Sequence, residues 1–94
     1  MKILFASDIH GSAYYCRRLL DIYKETKASR MVILGDILYH GPRNDLPKEY
    51  APKEVIAMLN PLKDQIYAVR GNCDTEVDQM VLQFPILADY ALLV

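Results

Sequence analysis

Apolar residues along the chain follow two different periods. Short unbroken apolar runs lie within residues 2–7, 30–34 and 66–69, each followed within two residues by glycine or aspartate. Unbroken runs of this length read as strands buried on both faces. Between them the apolar positions recur at helical spacing. Ser12 is a helix cap, and Cys16, Leu19, Leu20 and Tyr23 lie on one face of a helix running to about residue 28. Pro52 suits a first helical position, and Val55, Met58, Leu59 and Leu62 form a second stripe. Thr75-Glu76-Val77-Asp78 reads as a capping box. Val77, Met80, Val81 and Phe84 then predict a third apolar stripe, ended by Pro85. Residues 86–94 are expected to begin another strand, and residues 40–47 are dense in turn formers.

The resulting order, β-α-β-α-β-α, implies an α/β fold of alternating units with a mainly parallel sheet and right-handed crossovers. The strand ends recur at intervals near the roughly 30 residues of a βαβ unit. Residues 1–94 fit a single small domain.

Composition narrows the function classes. Apolar residues make up 52% of the chain, too many for a disordered segment. The formal net charge of −1 argues against a broad nucleic-acid surface. Cys16 and Cys73 stand far apart, in no paired metal motif, so a reducing, cytoplasmic setting is expected. No apolar run approaches the roughly 20 residues of a membrane span.

The candidate chemistry sits at the three predicted strand ends. Asp8-Ile9-His10 follows the first, Gly35-Asp36 the second and Gly71-Asn72-Cys73-Asp74 the third. Ligands bind at the carboxyl ends of parallel strands, so Asp8, His10, Asp36 and Asn72 are expected to converge. An extended Asp8-Ile9-His10 would point both side chains the same way. Two carboxylates, an imidazole and an amide oxygen suit a hard or borderline divalent metal. A bridging carboxylate between two ions would suit phosphoryl transfer. Each motif alone also has a structural explanation: an aspartate capping a helix or turn, or a Gly-Asn turn before a helix. Their occurrence together, in this order and each at a strand end, favours the metal site.

At these residues the chain resembles the calcineurin-like metallophosphoesterases. Ser7-Asp8-Ile9-His10-Gly11, Leu34-Gly35-Asp36, His40-Gly41-Pro42-Arg43-Asn44 and Arg70-Gly71-Asn72-Cys73-Asp74 are most similar to small bacterial phosphodiesterases of the YfcE type. The resemblance implies the α/β sandwich of that family and hydrolysis of a small phosphodiester at two divalent ions, with manganese expected. It implies that Asp8 and His10 hold one ion, Asp36 bridges both and Asn72 holds the other.

The family's later motifs, a histidine after a strand and then a G-H-x-H pair, do not occur in residues 1–94. The resemblance therefore implies the amino-terminal half of a longer enzyme, an incomplete domain with part of the metal shell. Cys73 stands where many relatives carry histidine and is read first as a packing residue, with a substrate contact as the alternative. Arg43 could fork onto a phosphate. The rival reading is a non-catalytic metal-binding or regulatory module, or a subunit that associates into a homo-oligomer through an unfinished sheet edge. An aspartyl-nucleophile phosphatase is disfavoured, because His10 occupies the place of the second acid in a D-x-D motif.

Overall fold

A computed structural model describes residues 2–40 and 45–89. Three strands, β1 (Ile3–Ala6), β2 (Arg30–Ile33) and β3 (Ile66–Ala68), form a parallel sheet in the order β1-β2-β3. Helices α1 (Ala13–Thr26) and α2 (Pro52–Leu59) cross between them, a short 3-10 turn (Asn60–Leu62) extends α2, and α3 (Glu76–Val81) follows β3. The expected α/β architecture is what the chain adopts.

The local signals act much as the sequence predicts. Ser12 caps α1, its hydroxyl accepting from the Tyr15 amide at 3.2 Å. The helix stops at Thr26 rather than near residue 28, because Lys27 adopts a left-handed conformation and its amide bonds back to Lys24. Pro52 occupies the start of α2. Thr75 and Asp78 make the reciprocal bonds of a capping box.

Register explains where the core lies. Met31 pairs with Leu4 on one side and Ile66 on the other, and Ile33 likewise with Ala6 and Ala68, so these residues share one face. That face packs against Cys16 and Tyr23 of α1 and Val55 and Leu59 of α2. Strands added in one direction by crossovers of one hand place their helices on one side of the sheet. The other face carries the row Phe5, Val32 and Tyr67. Val32 is buried between its neighbours, but Phe5 is 55% exposed and Tyr67 42%.

The third stripe departs from expectation. Val77 and Met80 are 70% and 83% exposed, and Phe84 lies beyond the helix. The reason is a change of period. Leu82 turns extended, and Leu82, Phe84 and Ile86 then enter the core alternately. Side chains fix this segment. Asn60 donates to the Val81 carbonyl at 2.9 Å and accepts from the Gln83 amide at 2.8 Å. Gln79 donates to the Phe84 carbonyl at 3.0 Å and accepts from the Ile86 amide at 2.8 Å. Pro85 therefore lies past the helix and does not end it. Residues 86–89 form no strand, although the Ala88 carbonyl accepts from the Arg70 amide at 2.7 Å; residues 90–94 lie outside the described residues.

An aromatic sheet face open to water favours association. A polypeptide of residues 1–94 should show a weight-average mass that rises with concentration in sedimentation, and the double change Phe5→Ser with Tyr67→Ser should reduce the rise. A concentration-independent monomer would contradict this.

Candidate metal centre

Because the strands are parallel, the segments following β1, β2 and β3 emerge at the same edge of the sheet. Asp8 and His10 lie just past β1, Asp36 past β2 and Asn72 past β3. The structure brings all four together. His10 Nε2 lies 3.1 Å from Asp8 Oδ1. The Asn72 amide lies against Asp36, its nitrogen donating to Oδ2 at 2.7 Å and Oδ1 at 3.1 Å in the orientation that satisfies both groups. Arg43 falls outside the described residues.

The backbone route differs from the extended one expected. Asp8, His10 and Asp36 all adopt left-handed conformations, at φ 60°, 50° and 56°. Aspartate and histidine tolerate this region better than most residues, yet it still costs about 1–2 kcal/mol each. Three ladder-like bonds hold the turns in place. Asp8 N–H donates to the Gly35 carbonyl, His10 N–H to Asp36 at 2.8 Å and Gly11 N–H to Ile37 at 2.8 Å. Gly35, at φ 99°, permits the closest approach. A Cβ there would run into the Gly71 backbone.

Sequence reasoning overlooked one residue that organises the site. Asp74 is 2% exposed, and its carboxylate accepts three backbone amides. Asp36 N–H donates to Oδ2 at 2.8 Å, Ile37 N–H to Oδ1 at 3.1 Å and Gly71 N–H to Oδ2 at 2.7 Å. One side chain thus ties the loop after β2 to the loop after β3. Its only signal in the sequence is the final acid of Gly71-Asn72-Cys73-Asp74, which also reads as an ordinary turn.

Electrostatics separate the two facing carboxylates. The Ser7 hydroxyl, donating to Asp8 Oδ2 at 2.7 Å, holds Asp8 below the usual carboxylate range. Burial pushes Asp36 up, and the neighbouring Asp8 and Asp74 carboxylates push the same way, against the Cys73 amide donated at 2.7 Å. Burial, reinforced by Asp36 and Asp74, likewise pushes the Cys73 thiol up.

The donor set fits a cation. His10 Nδ1 lies 2.9 Å from the Tyr39 carbonyl, which can only accept, so Nδ1 carries a proton, and in the neutral ring Nε2 presents its lone pair toward Asp8. Two lone-pair atoms 3.1 Å apart repel unless a proton or metal lies between them. A divalent ion resolves that conflict. It would also favour turning the Asn72 oxygen toward Asp36. The group His10, Asp36 and Cys73 places one ligand atom from each within 4.8 Å of the others.

Asp74→Ala would leave three backbone donors without their acceptor. The expected loss is roughly 2–4 kcal/mol of unfolding free energy, since each unpaired buried donor costs about 1–3 kcal/mol and water can partly reach Gly71. Manganese affinity, read by calorimetry, should fall by roughly 10–100-fold, as when an outer contact of a ligand is lost. Urea midpoints and metal affinity both unchanged would show that the tie is incidental.

A family model for calcineurin-like phosphoesterases matches residues 1–92. Phosphodiesterase YfcE of Escherichia coli K12 is 54% identical over 90 residues, covering 96% of this chain and 49% of that protein. YfcE of E. coli O157:H7 matches equally. A solved structure of YfcE, described as a phosphoesterase from E. coli, superposes with a TM-score of 0.97 at 52% identity, over 100% of this chain and 52% of that one. The chain thus spans about half the length of the curated relatives it matches. The family match over almost the whole sequence agrees with the site geometry, and the chain belongs to the calcineurin-like phosphoesterase family.

Proposed function

We propose that this chain carries the amino-terminal part of a metal-dependent phosphodiesterase that acts on a small phosphodiester at two divalent ions. The observation that supports it most is the convergence of Asp8, His10, Asp36 and Asn72 at one sheet edge, with His10 Nε2 and Asp8 Oδ1 left facing each other. Asp8 and His10 would hold one ion, Asp36 would be shared and Asn72 would hold the other. Manganese is the expected metal. The remaining ligands would come from sequence corresponding to the other half of the matched relatives.

Bound there, divalent ions would neutralise charge on the phosphoryl oxygens and activate the attacking water. The chain's own residues preorganise that chemistry. The Tyr39 carbonyl fixes the His10 ring and its tautomer, a contact that raises ligand basicity. Ser7 keeps Asp8 ionised, and the Cys73 amide and Asp74 position Asp36. Arg43, which follows β2 in the sequence, would meet phosphate oxygens by a forked contact. The free thiols of Cys16 and Cys73 suit a cytoplasmic setting, and no helix among the described residues is long and apolar enough to cross a membrane.

The full-length protein should cleave bis(p-nitrophenyl) phosphate only when manganese or a similar ion is supplied, and chelation should abolish turnover. Asp36→Ala should lower kcat/KM by well over the roughly 100-fold that an outer contact controls. Manganese binding lost in Asp36→Ala, with no turnover of any phosphodiester tried, would instead support the metal-binding module.

A further inference from the structure

Cys73 does nothing as a side chain in the reading above. Yet its sulfur lies beside the site. Its Sγ and the ligand atoms of His10 and Asp36 all fall within 4.8 Å of one another. The loop carrying it is fastened to one of those ligands, because the Cys73 amide donates to Asp36 Oδ1 at 2.7 Å. Cys73 is half-buried, and the neighbouring Asp36 is buried.

These separations suit shared coordination. Metal–sulfur bonds of about 2.3 Å and metal–nitrogen bonds of about 2.0–2.1 Å put neighbouring ligand atoms some 3–4 Å apart. A side-chain rotation and a shift of about an ångström would therefore close the three atoms onto one ion. A packing role does not require a thiol aimed at two metal-ligand candidates. Thiolate sulfur is a soft donor, and its presence changes which ions a site prefers.

We propose that the Cys73 thiolate is itself a metal ligand, joining His10 and Asp36 on one ion and shifting that position toward thiophilic ions such as zinc and cobalt. The inference rests on the metal centre proposed above. The second position, served by Asn72 and Asp36, keeps hard oxygen donors and the usual preference for manganese or magnesium. When the sulfur–metal bond forms, the thiol proton passes to solvent and no electron is transferred. The two positions would then differ in softness, and a mixed-metal state becomes the favoured one when zinc is scarce and manganese plentiful.

Cobalt(II) reports sulfur ligation directly, because a thiolate–cobalt bond adds a near-ultraviolet charge-transfer band to the visible d–d bands of any bound cobalt. The full-length protein, stripped of metal, would be titrated with cobalt alone. The expected result is a charge-transfer band in the wild type that is absent in Cys73→Ser and retained in Cys16→Ala. Cys16 is the appropriate control, since it is fully buried and its thiol is pushed up to about 11. Competition titrations should show Cys73→Ser binding zinc more weakly by roughly tenfold or more, with manganese affinity changed little. Visible d–d bands without the charge-transfer band in the wild type would overturn the proposal while leaving the metal centre standing. A charge-transfer band that survives in Cys73→Ser would overturn it too, and no cobalt binding at all would overturn both readings.

Discussion

The site depends on one buried carboxylate that is not expected to touch metal or substrate. Asp74 gathers three backbone amides from two loops that are distant in sequence, and so fixes the distance between the ends of β2 and β3. Asp36 can be aimed only because its own amide is held from behind. Gly35 can lie against the Gly71 backbone, and Gly71 against Asp36, only because neither glycine carries a side chain. Burying an acid is costly unless its oxygens are satisfied, and here three charge-assisted hydrogen bonds offset that cost.

That tie supports considerable local tension. Asp8, His10 and Asp36 sit in left-handed conformations, and two carboxylates face each other across a small gap. Strained turns and opposed like charges of this kind persist where surrounding structure holds them and a ligand relieves them. The parallel sheet and the packing of α1 and α2 on one of its faces provide the rigid base. A divalent cation would relieve the charge. Stability and function are thus opposed at this edge, and a bound metal would reconcile them.

Much of this was legible in the sequence, for identifiable reasons. The strands and α1 follow from period and capping, because each local signal agrees with the fold around it. The four ligand candidates were legible because strand ends in a parallel sheet must share an edge. The conformations at Asp8 and His10 were not, since nothing in Asp8-Ile9-His10 distinguishes a left-handed turn from an extended one. The third apolar stripe misled because Val77, Met80 and Val81 at helical spacing run directly into Leu82, Phe84 and Ile86 at strand spacing. Only the long-range bonds from Asn60 and from Gln79 decide where one period gives way to the other. Asp74 escaped notice because its partners lie across the fold, and a side chain accepting backbone amides leaves no periodic trace.

The central claim is that the three strand ends form one divalent metal centre built on Asp36. Anomalous diffraction from manganese-soaked crystals of the full-length protein tests it most directly. The account predicts anomalous density bonded to Asp8, His10, Asp36 and Asn72, with the Asn72 oxygen turned to the ion and Asp36 contacting every ion present. Density elsewhere on the molecule, or an Asp36 carboxylate bonded to none of it, would contradict the account.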